Sequence, residues 1–442
     1  MSKTKVDSIH LPTAMAHLMG FALCLIPFTF ANVIVETPRP TNFTITPFLV
    51  DEMFYLPYIP IAIMLIAILV NLKFQSIQIR QYWSFIPLIL VWAGHFYSIE
   101  VALFRPTTFW SSWIFGLCIL FALAAFWIRF ENNELLFIVW FLIGCTIQAI
   151  IAILQSVQGG PIGLNWLGEI QYRPELVFGI PDESYRSTGL TYHPNILGGV
   201  LVTGVILAVY AHSKVKSNLQ RVLVGFSAVV IAWGLLSTQS RTAFLGALVF
   251  IISLLGRWFV HRLHGAKSWR SQLPIVGGMV IVITILMISI MVLPVPIFQR
   301  VTTILANPLS HLDRIFYAIP ESYKLIAARP LRGFGSNMGM LALVEFHRNA
   351  SFLIPAHNVF VWMAVELGMP IVGIWSLALI LGLIPFVYVF RADNVVLASG
   401  TLTLSTMMLF DHYFYLDNRM TLLVMVLLGM SYASRSSTPT AR

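Results

Sequence analysis

Residues 135–156 read LLFIVWFLIGCTIQAIIAILQS, twenty-two positions without a charged side chain. At 1.5 Å per residue a helix of this run is about 33 Å long, which matches the roughly 30 Å hydrocarbon core of a bilayer. In lipid such a run has only the helix with which to satisfy its own backbone groups. Outward from it, comparable runs recur along the chain. We place spans near 11–35, 54–72, 82–99, 109–128, 135–156, 190–211, 221–238, 242–256, 271–294, 357–390, 395–411 and 420–434, twelve in all.

Composition agrees. Hydrophobic residues make up 58% of the 442 positions and charged residues 10%, whereas a soluble domain carries about 25% charged residues. Mean hydropathy is +0.83. The net charge of +9 and pI near 9.6 therefore report membrane topology rather than nucleic-acid binding. The three cysteines (Cys24, Cys118, Cys145) lie in apolar runs and supply neither a disulfide framework nor a zinc or iron–sulfur spacing.

Lys3 and Lys5 precede the first run, which reads as an uncleaved anchor. With the N-terminus inside, fifteen of the twenty-seven basic residues fall in cytoplasmic segments, among them Lys73, Arg129, Lys214, Arg262 and Arg391. The short outer loops hold Arg39, Arg105, Arg173, Arg186, Arg241 and Arg419. This asymmetry predicts both termini in the cytoplasm. The expected organisation is an all-α integral membrane protein in three parts. Residues 1–294 hold spans one to nine with an outer loop over 157–189. Residues 295–356 form a long outer loop whose stretch from Leu312 to Ala328 has the periodicity of an amphipathic helix, and 357–442 hold the last three spans.

Candidate chemistry gathers on that outer side. Arg241 follows Ser237-Thr238-Gln239-Ser240 at the mouth of a tight helical turn. An arginine there is either part of a polar site or a side chain snorkelling to the headgroups. The run from Arg186 to Asn195 enters the sixth span, and Pro194 suits the first turn of a helix starting at His193 or Pro194. Its N–H groups and dipole would attract an anion, although an ordinary capped start with a nearby Arg186 reads the same way. Asp313-Arg314 opens the amphipathic stretch, and Arg332 belongs to a turn, Pro330-Leu331-Arg332-Gly333-Phe334-Gly335, that is too short for a P-loop. His357-Asn358 marks the return to the bilayer; histidine suits proton transfer near neutral pH but is also common as a plain interfacial residue. Glu366 lies nine residues on and, along a regular helix, about 13 Å deeper. No D-x-D or H-E-x-x-H motif occurs, so the expected site is cationic, without metal or cofactor.

The ordered landmarks Arg186-x-x-Gly189, His193-Pro194-Asn195, Ser240-Arg241, Arg314, Pro330-Leu331-x-Gly333-x-Gly335, His357-Asn358 and Glu366-x-Gly368 resemble those of the O-antigen ligase and polymerase superfamily, over about 180–375. The resemblance implies a GT-C-like membrane glycosyltransferase of the inner membrane with a periplasmic active site. Its donor would be an undecaprenyl-diphosphate-linked glycan, and for a ligase the acceptor is the lipid A–core oligosaccharide. It carries the family's essential arginines onto Arg241 and Arg314 and its essential histidine onto His357. Arg186 and His193 become donor-diphosphate residues, and Arg332 and Asn358 candidate substrate-loop residues. The expected reaction is inverting, with His357 as base and arginines clamping the diphosphate in place of a metal. An O-antigen polymerase, a protein O-oligosaccharyltransferase and an anionic-lipid transporter are the alternative readings.

Overall fold

A computed structural model describes residues 11–26, 31–35, 52–55, 79–170, 185–263, 318–346, 355–388 and 392–436. The expected spans 271–294 and most of 54–72 lie outside the described residues, as do the first part of the long loop and Arg314. Elsewhere the apolar runs become helices: α1 (Leu11–Leu25), α2 (Ile86–Tyr97), α3 (Arg105–Phe130), α4 (Glu134–Gln158), α5 (Pro194–Lys214), α6 (Asn218–Ser237) and α7 (Arg241–Leu263). They are followed by α8 (Ile319–Ala328), α9 (Gly339–Phe346), α10 (Val359–Leu367), α11 (Met369–Tyr388), α12 (Ala392–Met408), α13 (Tyr413–Leu416) and α14 (Asn418–Ser436). Five helices are long and apolar enough to cross a membrane: α3, α4, α5, α6 and α7 from Arg241 to Phe259. Stretches of α1, α11 and α14 are apolar but shorter. The chain is a multi-pass helical membrane protein. Of the twelve spans expected, the described residues establish five by length.

Two expectations need correction. The run 11–35 is not one span, because α1 stops at Leu25, ahead of Pro27, whose missing N–H opposes continuation. Beyond it, Ala31–Val35 (β1) pairs antiparallel with Glu52–Tyr55 (β2), with a register shift between Val33 and Val35. The described residues are thus helical, with one small strand pair among them. Val33-Ile34-Val35 is a β-branched run that favours a strand, and hydropathy alone does not separate the two conformations.

The second correction concerns 357–390. Its 34 residues would make a helix of about 51 Å, too long for the bilayer, and the structure divides it at Gly368 into α10 and α11. Gly368 has φ of +86° and Gly333, across from it, +62°. A Cβ on Gly368 would collide with the Leu331 carbonyl, and one on Gly333 with the Glu366 carbonyl. Main-chain bonds seal this crossing: Met369 N–H donates to Pro330 (2.8 Å), Phe334 N–H to Val365 (3.0 Å) and Gly335 N–H to Glu366 (2.9 Å). The Leu103 N–H, in the turn joining α2 and α3, donates to the Phe334 carbonyl. The break therefore lies level with that turn, and the twenty-residue α11 continues the chain beyond it. Helix α10 belongs with α8, α9 and α13 to a layer capping one end of the bundle. Glu366 is accordingly not deep in a span. Its buried carboxylate accepts the N–H of Asn337 (2.7 Å) and of Gly339 (3.1 Å), at the start of α9, and the Tyr415 hydroxyl (2.9 Å).

Helix α5 is apolar all round and almost wholly buried, as a central helix must be. It packs on α4, α6, α7 and α12, while α3 packs most extensively on α14. Rings of Phe85, Phe126 and Tyr432 meet edge to face at 5.1–5.5 Å where these elements converge. Lipid tails are as apolar as these side chains, so such contacts act through close packing and interhelical bonds. At the bundle end opposite the cap layer, Tyr210 donates to Glu134 (2.7 Å), Lys214 approaches the same carboxylate, and Arg129 donates to Asn394.

Candidate functional site

The first turn of α5 faces the cap layer, and its sequence explains its geometry. Pro194 occupies the first turn, and His193 is the N-cap with extended backbone, its Nδ1 accepting the Asn195 N–H at 3.1 Å. The expected helix start is therefore observed. Asn195, with its backbone held this way, turns its amide to two charged partners. Its Oδ1 accepts from the Arg186 guanidinium (2.8 Å), and its Nδ2 donates to Asp411 (2.9 Å). Asp411 Oδ1 lies 3.9 Å from the Nδ1 of His412.

From His412 the contacts pass through rings. His412 meets His357 edge to face at 4.5 Å, and on its other side approaches Tyr413 at 4.4 Å. Tyr413 returns to His193 at 4.7 Å. Arg186, His193 and His357, separated by up to 171 positions in the chain, thus belong to one connected cluster through Asn195, Asp411, His412 and Tyr413.

His357 is held with a proton on Nδ1. Its Nδ1 lies 3.1 Å from the Pro355 carbonyl, an acceptor that requires Nδ1 to carry the proton. In the neutral ring Nε2 then holds the lone pair. Asn358 fixes the ring's base by capping α10, with its Oδ1 accepting the Val361 N–H (3.0 Å) and its Nδ2 donating to the Leu409 carbonyl (3.1 Å).

Arg241 opens α7 with an exposed side chain. The preceding turn is tight: Gln239 has φ of +50°, and Thr238 Oγ1 accepts the Ser240 N–H. The turn lies against the segment carrying Arg186, because Ser187 N–H donates to the Ser237 carbonyl and Gln239 Nε2 to the Tyr185 carbonyl, both at 3.2 Å. Arg241 therefore begins its helix beside Arg186. Arg332 is elsewhere in the cap layer, its guanidinium over the Tyr97 ring at 5.5 Å, and its neighbour Arg329 donates to the Val101 carbonyl (3.1 Å).

Two acids and two bases were not singled out by sequence. Asp411, His412, Asp417 and Arg419 fall within nine residues between two apolar runs, and that density of polar groups in a poorly charged chain was the available signal. Arg419, expected in a short outer loop, stands at the start of α14 with its side chain fully buried. Its Nε and Nη2 donate to the two oxygens of Asp417 (3.0 and 2.7 Å). Tyr192 donates to the same carboxylate (2.7 Å), and its ring lies 4.9 Å below the guanidinium. This lock holds the residue next to His193.

The cluster is cationic, ring-lined and open to chemistry on an anion: guanidinium groups for charge, a helix N-terminus, and an imidazole with a lone pair. Among the described residues no three His, Cys, Asp or Glu side chains are grouped to hold a metal ion. No curated protein matches the chain. The family model described as O-antigen ligase matches residues 226–376. Those residues hold Arg241, Arg314, the Gly333–Gly335 turn, His357 and Glu366, and over them the chain is similar to the O-antigen ligase family.

Proposed function

We propose that the protein is a glycosyltransferase of the inner membrane that transfers O-antigen polysaccharide from undecaprenyl diphosphate to the lipid A–core oligosaccharide, at the periplasmic face. The observation that supports this most is the pairing of His357, held as the Nδ1–H tautomer by Pro355, with a network ending on Arg186. A base and an anion clamp within one cluster are what the transfer requires.

The acceptor hydroxyl gives its proton to His357 Nε2 as its oxygen attacks C1 of the donor sugar. The bond from C1 to the diphosphate oxygen breaks, and undecaprenyl diphosphate leaves with the electron pair. Arg186, Arg241 and Arg314 stabilise the charge that grows there, with His193 and the α5 N-terminus beside them. A general base contributes about 10²- to 10⁴-fold, and fixed guanidinium donors supply the electrostatic stabilisation that a metal supplies elsewhere. A single displacement inverts C1. Residues 295–356 act as the outer subdomain between the ninth and tenth spans, with Arg332 and Asn358 shaping the substrate side.

A deletion strain tests the assignment. Long glycan chains remaining on the carrier lipid and missing from lipid A–core support a ligase. A lipopolysaccharide carrying a single repeat points to a polymerase and overturns the reading.

A further inference from the structure

Two glutamines on α4, Gln148 and Gln155, are fully buried. They stand seven residues apart, two turns along one helix face. A buried amide in a membrane helix is costly unless its bonds are made, and three of those of Gln155 are made to a single short segment. Its Oε1 accepts the N–H groups of Thr188 (3.2 Å) and Gly189 (2.8 Å), and its Nε2 donates to the Gly189 carbonyl (2.9 Å). Gln148 Oε1 accepts the next N–H, that of Leu190 (2.8 Å). The segment is a turn with Gly189 at φ of +58°. It begins two residues after Arg186 and ends three before His193.

The remaining hydrogen of the Gln155 amide goes to Glu169 Oε1 (2.7 Å). That carboxylate also gathers the N–H groups of Ile162 and Leu164 from the loop after α4. Burial works against its charge, but these donors outweigh it and hold the Glu169 pKa below its ordinary value. The turn is thus held from α4, and Tyr192, two residues beyond it, is bonded to Asp417 just ahead of α14.

We infer that Gln155, assisted by Gln148, is a positioning residue for the donor diphosphate: it fixes the Thr188–Leu190 turn so that Arg186 and His193 flank the first turn of α5. The inference rests on the reading of that cluster as the donor site. Gln155 touches no substrate itself; it acts through the backbone that carries two groups that do. Small displacements of such groups are expensive, since about 1 Å of misplacement can cost about 10²-fold in rate.

The test uses the purified full-length protein and undecaprenyl diphosphate as probe. Gln155→Leu removes four hydrogen bonds at similar volume. It should weaken probe binding about ten-fold or more and raise the donor KM, and kcat should fall as well because Arg186 also stabilises the charge that grows on the leaving diphosphate. Tyr210→Phe, which deletes a buried hydrogen bond at the opposite end of the bundle, should lower the melting temperature without changing the Kd. If Gln155→Leu does not fold, Gln148→Leu, which loses one bond to the same turn, should weaken binding in the same direction. Wild-type affinity in a folded Gln155 or Gln148 variant, or equal loss of affinity in Tyr210→Phe, would overturn the positioning role. Wild-type protein that binds the probe but does not transfer glycan to lipid A–core sinks the ligase reading alone, and the Kd comparison still decides the inference. Wild-type protein without affinity for the probe sinks both.

Discussion

Arg419→Met is the perturbation whose cost the structure sets most tightly. Both side chains of the Arg419–Asp417 pair have zero solvent exposure. Removing the guanidinium leaves a buried carboxylate without its countercharge, which typically costs about 3–5 kcal/mol. Asp417 keeps the Tyr192 hydroxyl and the backbone N–H of residue 419, so the lower end applies, about 3 kcal/mol. That is roughly a 150-fold loss in the folded-to-unfolded ratio, at about 1.4 kcal/mol for each factor of ten. Unfolding of the purified protein in mild detergent measures it, with Asp417→Asn and the double variant completing a cycle. The double variant should be clearly more stable than the two single losses added together, because it no longer buries an unpaired charge. A surface arginine in a short loop would cost no more than about 0.5 kcal/mol. A change that small, or strict additivity in the cycle, would refute the buried lock and with it the support beneath His193.

Replacing Arg241 or Arg314 by lysine keeps the charge but loses the planar two-pronged donor; donor affinity should fall severely, and unchanged donor Kd in either variant removes that arginine from the clamp. Transfer by the purified enzyme should persist in excess EDTA, and activity lost in chelator and restored by magnesium contradicts an arginine-only clamp. A cysteine at the exposed Arg332 position should label from the periplasm and one at Lys214 should not; the reverse pattern inverts the proposed orientation. The Glu169 pKa is depressed on folding, so its contribution to stability is complete above the ordinary carboxylate value of 4.5 and is lost as pH falls through the lower folded value. Glu169→Gln should therefore lower the melting temperature at pH 7 and narrow its gap to wild type below pH 4, whereas a gap that widens on acidification has the wrong sign.

Much of the helical frame was legible because α3, α4, α5, α6 and α7 are long apolar runs, and length alone separates them from soluble helices. The start of α5 was legible from Pro194 and the turn before Arg241 from its polar neighbours. The break at Gly368 was not, since a glycine inside an apolar run is equally at home in a continuous membrane helix. What marks the break is a contact with Leu331, a partner from another segment. The strand pair at Ala31–Val35 was hidden for a similar reason: its pairing partners are 17 to 24 residues away. In the site, Arg186, His193 and His357 could be named from local pattern and resemblance. Their linkage through Asn195, Asp411 and His412 could not, because pairs such as Asn195 and Asp411 are 216 positions apart and hydropathy carries no information on who meets whom. Nor does hydropathy show that Arg419, at the start of α14, is the core of a buried pair.

The central claim, a histidine base separate from an arginine clamp, is tested most directly by His357→Ala in purified form, supplied with lipid-linked O-antigen and lipid A–core. The account predicts donor affinity close to wild type, with turnover reduced about 10²- to 10⁴-fold, because the ring accepts a proton and does not hold the diphosphate. Near-normal turnover, or lost donor binding with normal turnover of what binds, would contradict it.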